Sequence, residues 1–160
     1  MSEHYLRKLD ELMGEHEWKM YRAIPAEEIG WENGAHHLNY DEWREYLKRQ
    51  IAKEQRERPK VTYIMYLGDY PIGIAKLKFY PDNLETACEV AYCIRPICRS
   101  KGLSKVMLEL LKEEAVKRSF AKLIGYANKQ NVASCKTMEG CGFHFVELSE
   151  WGSNKYEINL

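Results

Sequence analysis

The spacing of apolar residues divides the chain into stretches of two periods. Tyr5, Leu9, Leu12, Met13 and His16 recur at helical intervals, which predicts an amphipathic helix over residues 3–20. Residues 22–38, RAIPAEEIGWENGAHHL, carry no period and contain Pro25, Gly30 and Gly34, so they read as a long loop. A loop of that length in a compact domain is usually functional or disordered. Asn39 followed by Glu42 makes a capping-box pattern, and Trp43, Tyr46, Leu47 and Ile51 continue a second helix. Pro59 disfavours helix at Arg58, which should end it near ERPK.

Beyond that point the period shortens to two. VTYIMYL (61–67) is a β-branched and aromatic run and GDYP is a turn. IGIAKLKFY (72–80) sets Ile74, Lys76 and Lys78 opposite Ala75, Leu77 and Phe79, a hairpin signal. After PDN, residues 87–94 form a third strand, with Val90, Tyr92 and Ile94 on one face and Glu89, Ala91 and Cys93 on the other. The helical period returns with Leu103, Val106, Met107, Leu110 and Leu111. A strand at 121–127, a short helix from Asn131 to Gly140 and two closing strands, GFHFVEL and NKYEINL, complete the order. No internal repeat, low-complexity tract or linker interrupts it, so residues 1–160 are expected to be one domain.

Composition narrows the function classes. Lysine plus arginine and aspartate plus glutamate both number 24, a zero formal charge that argues against a general nucleic-acid surface. No apolar run is long enough for a membrane span, and the charged start MSEHYLRKLDEL is not a signal peptide, so a cytoplasmic location is the expectation. Cys88, Cys93 and Cys98 are evenly spaced, which invites a metal reading, but on a strand that spacing puts Cys88 and Cys93 on opposite faces. With no C-x-x-C pair and an odd total of five cysteines, free thiols and no metal are expected.

Chemistry concentrates in RPICRSKGLS, residues 95–104, where a strand hands over to a helix. A helix starting at Gly102 begins with unpaired amides and the positive end of its dipole. Arg99 and Lys101 add charge, Gly102 lacks a Cβ that would hold a ligand off the backbone, and Ser104 is small with a hydroxyl. That is the chemistry a pyrophosphate needs. A solvated basic turn capped by serine would carry the same residues. Neither G-x-x-x-x-G-K-[ST] nor the full G-x-G-x-x-G string is present.

The string from Arg99 to Ser104 resembles the R/Q-x-x-G-x-G/A motif of the GNAT superfamily of N-acetyltransferases. EVAYCIRP is similar to that family's fourth strand and NKQNVASCKTMEGCGF to its second motif. The helix–loop–helix of residues 3–57 is similar to the two helices that shape the acceptor site. The resemblance covers nearly the whole chain. It implies an α+β fold of three layers (α/β/α), with a mixed, mostly antiparallel central sheet and helices on both faces. It also implies an acyltransferase that moves an acetyl group from acetyl-CoA, its cosubstrate, to a primary amine of a small molecule, peptide or protein. A module that binds coenzyme A without turnover is the alternative, and an unrelated phosphate-binding domain is a third reading. Neither nucleic acid nor membrane is an expected partner, and a homodimer is open.

The resemblance assigns residues as well. Backbone groups of Cys93 and Ile94 should meet the thioester and pantetheine. The backbone amides from Arg99 through Ser100, Lys101, Gly102 and Leu103 to Ser104 should hold the pyrophosphate. Asn131 should hydrogen-bond the pantetheine arm, with Ser134 nearby, although an asparagine there also suits a plain helix cap. Glu89 is the implied general base; it equally suits a strand carboxylate paired with Lys76 or Lys78. Tyr126, five residues before Asn131, is the candidate acid, or else a side chain packed under the adjoining helix. The 22–38 loop, with Glu27, Glu28, Trp31, Glu32, His36 and His37, is expected to shape the acceptor site. Its acids and aromatic suit a cationic amine, and equally an ordinary solvated loop. The chain departs from the family pattern in three places. It leaves almost no residues for the first strand, Ser104 replaces the motif's last Gly or Ala, and Met138 stands where many members place an acid tyrosine.

Overall fold

The computed structural model describes residues 3–28, 31–57, 60–79 and 86–160. The chain opens with strand β1 (His4–Lys8) and helix α1 (Glu15–Ala23). A hairpin of two short strands, β2 (Glu27–Glu28) and β3 (Trp31–Glu32), leads into helix α2 (Tyr40–Glu57). Strands β4 (Lys60–Leu67), β5 (Tyr70–Phe79) and β6 (Ala87–Ile94) follow, then a single 3₁₀ turn (Pro96–Cys98) and helix α3 (Leu103–Lys117). Strand β7 (Lys122–Asn128), helix α4 (Val132–Gly140) and strands β8 (His144–Leu148) and β9 (Ser153–Asn159) close the chain.

Among the described residues, seven strands form one sheet in the order β1-β4-β5-β6-β7-β9-β8. Every neighbouring pair is antiparallel except β6 and β7, which run parallel and are joined through α3. Two cores sandwich the sheet, as the strand alternation requires. Met107, Leu108 and Leu111 of α3 pack on Ala75, Leu77, Cys88, Val90 and Leu123. Met20, Tyr21, Trp43 and Leu47 of α1 and α2 pack on Ile74 and Cys93 from the other side. Cys88 and Cys93 therefore lie in different layers. Burying side chains such as Leu111 stabilises the fold by roughly 1.5–3 kcal/mol each. Asn39 and Glu42 cap α2 reciprocally, Glu42 N donating to Asn39 Oδ1 at 2.9 Å and Asn39 N to Glu42 Oε1 at 3.0 Å.

The amino-terminal expectation is corrected. Residues 3–20 are not one helix, and the family's first strand is present as β1, paired with β4 from His4↔Leu67 to Lys8↔Tyr63. Five ladder positions on an already built sheet outweigh a weak helical period. Asp10 then makes the turn, accepting from Leu12 N at 2.8 Å and from the Arg7 guanidinium at 2.7 and 2.8 Å. Leu12, counted toward the helical stripe, is 88% exposed. The loop expected over 22–38 holds the β2–β3 hairpin instead of irregular chain. The Asn33 side-chain amide donates to the carbonyls of Tyr21 (2.7 Å) and Ile24 (2.8 Å), which ties the hairpin to the end of α1. Ile29 and Gly30, the expected helix stop at Arg58 and Pro59, and the expected turn at PDN lie outside the described residues.

Candidate functional site

The parallel pair at the centre of the sheet is short. β6 and β7 are registered only from Ala87↔Lys122 to Val90↔Gly125. Both strands continue, β6 to Ile94 against β5 and β7 to Asn128 against β9. From Ala91 onward the two strands part, and their facing main-chain edges have no ladder partner among the described residues. A sheet that opens at its centre leaves a slot with unpaired polar backbone, a ready binding site for an extended ligand.

The turn of residues 95–104 sits at the mouth of this slot. Ser100 has φ of 64° and Gly102 has φ of 74°, two left-handed residues with Lys101 between them. Such alternation turns successive amides toward one side, forming an anion-binding concavity. The amides of Ser100, Lys101 and Gly102 meet no backbone acceptor among the described residues. Gly102 caps α3, and a Cβ built on it would meet nothing within 4 Å, so the space over the turn is open. The Arg99 amide is committed, donating to Pro96 O at 3.2 Å. The free set therefore starts at Ser100.

The Arg99 side chain folds away from the turn. Its Nε donates to Ile94 O at 2.9 Å, and its two terminal nitrogens grip the Glu28 carboxylate at 2.7 and 2.5 Å. This bidentate pair bridges the hairpin to the end of β6, and the hydrogen bond to Glu28 holds the guanidinium above its ordinary pKa. Cys93 lies between the two partners, its Sγ 3.7 Å from Glu28 Oε1. Burial, with the Glu28 charge, pushes the Cys93 thiol up to about 12, so it stays protonated near neutral pH and is no nucleophile there.

Across the slot, Asn131 caps α4, its Oδ1 accepting from Ser134 N at 3.2 Å. The Tyr92 and Ser134 hydroxyls lie 3.2 Å apart, a link from β6 to the first turn of α4. Met138 is buried against Gly125, where a Cβ would fall 2.7 Å from Met138 Cε. It is a core side chain that lets α4 sit close on β7. Glu89 is mostly buried, 3.6 Å from Lys78 on the neighbouring strand. It is also opposite Ile124, one position before the slot opens. Tyr126 packs not under α4 but against Trp151, ring centroids 5.2 Å apart. Burial and the Glu89, Glu147 and Glu157 charges raise its phenol above the ordinary value.

On the α1/α2 side of the sheet an open cleft is lined by Glu28, Trp31 and Glu32 from the hairpin and by Lys76, Lys78 and Ala91 from β5 and β6. The Lys76 ammonium stands 4.6 Å over the Trp31 ring. Burial, then the like charges of Lys60 and Lys78, bring Lys76 down to about 8. His36 is turned inward, its Nδ1 2.6 Å from Ile24 O. The structure thus brings Cys93, Ile94 and the 99–104 turn to one end of the slot, Asn131 and Ser134 to its far wall, and Glu89 near its base. Three features escaped the sequence: the Glu28–Arg99 pair, the Lys76–Trp31 stack and the Tyr92–Ser134 link. The placement of Lys76 and Lys78 on one strand face was the only signal for any of them.

A family model described as an acetyltransferase (GNAT) domain matches residues 6–144. No curated protein matches the chain in sequence at a significant level. Solved structures match it throughout. RimL, a ribosomal L7/L12 alpha-N-protein acetyltransferase in complex with coenzyme A, is 16% identical, with a TM-score of 0.78 over 97% of this chain and 93% of that one. The Campylobacter jejuni N-acetyltransferase PseH is 14% identical, with a TM-score of 0.70 over 99% of each chain. A Vibrio cholerae spermidine N-acetyltransferase SpeG chimera is 15% identical, with a TM-score of 0.74 over 99% of this chain and 96% of that one.

Proposed function

Since the chain belongs to the GNAT acetyltransferase family, we propose that it transfers the acetyl group of acetyl-CoA to a primary amine of a small molecule, peptide or protein. The observation that carries this reading is the slot opening after Val90 and Gly125, with unpaired amides at its mouth. The residues fit an extended phosphorylated ligand. Ser100 to Ser104 would hold the pyrophosphate through their amides, and Lys101 supplies a cation. Gly102 lacks the Cβ that would fill the cradle. The edge of Cys93 and Ile94 would hold the pantetheine, with Asn131 and Ser134 on the opposite wall. Bound acetyl-CoA supplies a thioester whose acetyl group an amine can accept.

The rest is positioning and proton movement by this chain. An amine reaches the cleft protonated and must lose its proton before or during attack. Glu89 is the proposed base, directly or through a water, since it shares a strand face with Ala91 and Cys93. Lys78, 3.6 Å away, pairs with Glu89 and orients it. Trp31 and the hairpin wall off the acceptor. A second reading, a module that binds acetyl-CoA without turnover, is favoured by one observation: Met138 is a buried apolar side chain and cannot donate a proton. Thiol release from acetyl-CoA, measured across a broad panel of amines, separates the two. Release that depends on an amine establishes transfer; binding without release establishes the module.

A further inference from the structure

The charges of the cleft do not match a simple polyamine site. Of its acids, Glu28 and Glu32, Glu28 is taken by Arg99. Of its cations, Lys78 pairs with Glu89. Among the described residues this leaves one unpaired cation lining the cleft, Lys76, which forms no ion pair and rests on the Trp31 ring. Lys76 sits on a central strand, registered between Thr62 on β4 and Ala91 on β6. A half-buried ammonium with no counter-ion is costly to keep. Lys60 and Lys78 add repulsion, and Glu54, which would attract it, is bound up by Thr62 N at 2.9 Å and Thr62 Oγ1 at 2.7 Å. An ammonium without a carboxylate partner on the cleft wall, beside the small side chain of Ala91, defines a place for an anionic group. Cys93, where the slot meets the cleft, is two residues further along β6, roughly 7 Å at the rise of a strand.

We propose that the preferred acceptor is an amine carrying a carboxylate a few bonds away, with Lys76 above Trp31 holding the carboxylate while the amine points toward Cys93. This rests on reading the cleft as the acceptor site of acetyl transfer. Glu32, which also lines the cleft and forms no ion pair among the described residues, is the acid left for the ammonium end of such a zwitterion.

The test compares γ-aminobutyrate with its amide, butylamine, putrescine and aminopropylphosphonate as acceptors, by thiol release from acetyl-CoA. Because a site with an unpaired cation discriminates strongly against a ligand lacking the acceptor, γ-aminobutyrate should exceed the amide and putrescine in kcat/KM by about tenfold or more. Lys76→Met should erase most of that preference through KM, and Lys76→Arg should retain it. An undiminished melting-point rise with acetyl-CoA shows that each variant is folded. Preference for the phosphonate over the carboxylate would overturn the carboxylate assignment. Preference for putrescine, or an equal loss for all acceptors in Lys76→Met, would overturn the anion site and leave acetyl transfer standing. If no amine turns over, the melting point decides. A rise with γ-aminobutyrate that Lys76→Met abolishes upholds the anion site and overturns transfer, whereas no rise overturns the anion site.

Discussion

The two sides of β6 are built from different material. Toward β7 the slot is main chain: unpaired strand edges, the amides of Ser100 to Gly102 and the cap of α3. Toward α1 and α2 the cleft is side chain: Glu28 on Arg99, Lys76 on Trp31, Glu89 on Lys78. A site made of backbone accepts one invariant ligand, since almost any sequence that folds the turn presents the same amides. A site made of side chains changes its ligand with each substitution. The coenzyme side should therefore be hard to retune and easy to destroy, and the acceptor side the reverse.

The largest effect is expected on the backbone side. A ligand present at about 100 times its dissociation constant stabilises a fold by ~2.7 kcal/mol. Gly102→Asp should abolish that gain from acetyl-CoA, because it puts a Cβ and a negative charge into the open cradle at a φ of 74°. Differential scanning fluorimetry with and without acetyl-CoA reads it directly. A variant that still responds like the parent would mean that the turn does not hold the pyrophosphate.

Next comes the boundary between the sides, at Glu89. Glu89→Gln keeps the shape and removes the basicity, so turnover should fall by about a hundredfold below pH 8, the scale of general-base catalysis, while acetyl-CoA affinity holds. Turnover unchanged across pH would leave Glu89 as the strand partner of Lys78 and nothing more.

Lys76 tests the side-chain half on its own. Its ammonium is brought down to about 8 in the fold, from an ordinary 10.5. A lysine so lowered destabilises the fold in full below about pH 8, and the penalty fades as pH rises toward 10.5, where the unfolded chain also releases its proton. Lys76→Met removes the penalty, so it should raise stability at pH 7 by about 1–2 kcal/mol. The gain should shrink toward pH 10. Parallel urea melts at the two pH values check the sign; a gain that grows with pH contradicts the burial of this charge among Lys60, Lys78, Glu54 and Cys93.

The two sides meet at the Glu28–Arg99 pair. The pair is partly exposed, so its own energy is modest, about 1 kcal/mol. Its effect lies in reach, since Glu28 belongs to the hairpin and Arg99 starts the turn. Glu28→Gln should raise the acceptor KM and the acetyl-CoA dissociation constant together, each by about threefold. Arg99→Ala should do the same, and the double variant should cost little more than either single one. Effects confined to one ligand would show the sides to be independent.

This division explains what could be read in advance. Strand β6, the turn and the two helix starts were legible because they depend on local features: a two-residue period through Val90, Tyr92 and Ile94, a glycine at the start of a helix and Asn131 at the start of the next. The cleft was not, because Glu28, Trp31 and Lys76 come from separate elements and only packing brings them together. Acids and an aromatic in residues 22–38 suggested a cationic acceptor, but one of those acids is spent on Arg99, 71 residues away in sequence. β1 was missed for a related reason. Its strand identity comes from pairing with β4, and nothing in HYLRK alone competes with the helical spacing of its neighbours.

The smallest effect is expected where neither side has a polar partner to lose. The Tyr126 hydroxyl has no hydrogen bond among the described residues, and its ring rests on Trp151. A free thiol has a pKa of about 8.5, so the coenzyme thiolate can leave near neutral pH without an acid, and amine deprotonation and positioning should dominate the barrier. Tyr126→Phe should therefore keep kcat within about threefold, well short of what general-acid catalysis contributes. Restoring a tyrosine at Met138 would not test the point, because that side chain is wedged against Gly125, and overpacking there would cost roughly 1–3 kcal/mol. The decisive measurement is the pre-steady-state rate of thiol release by Tyr126→Phe at saturating acetyl-CoA. A fall of about a hundredfold with coenzyme affinity intact would assign the proton to Tyr126, placing the acid on the side-chain face of the sheet next to Glu89.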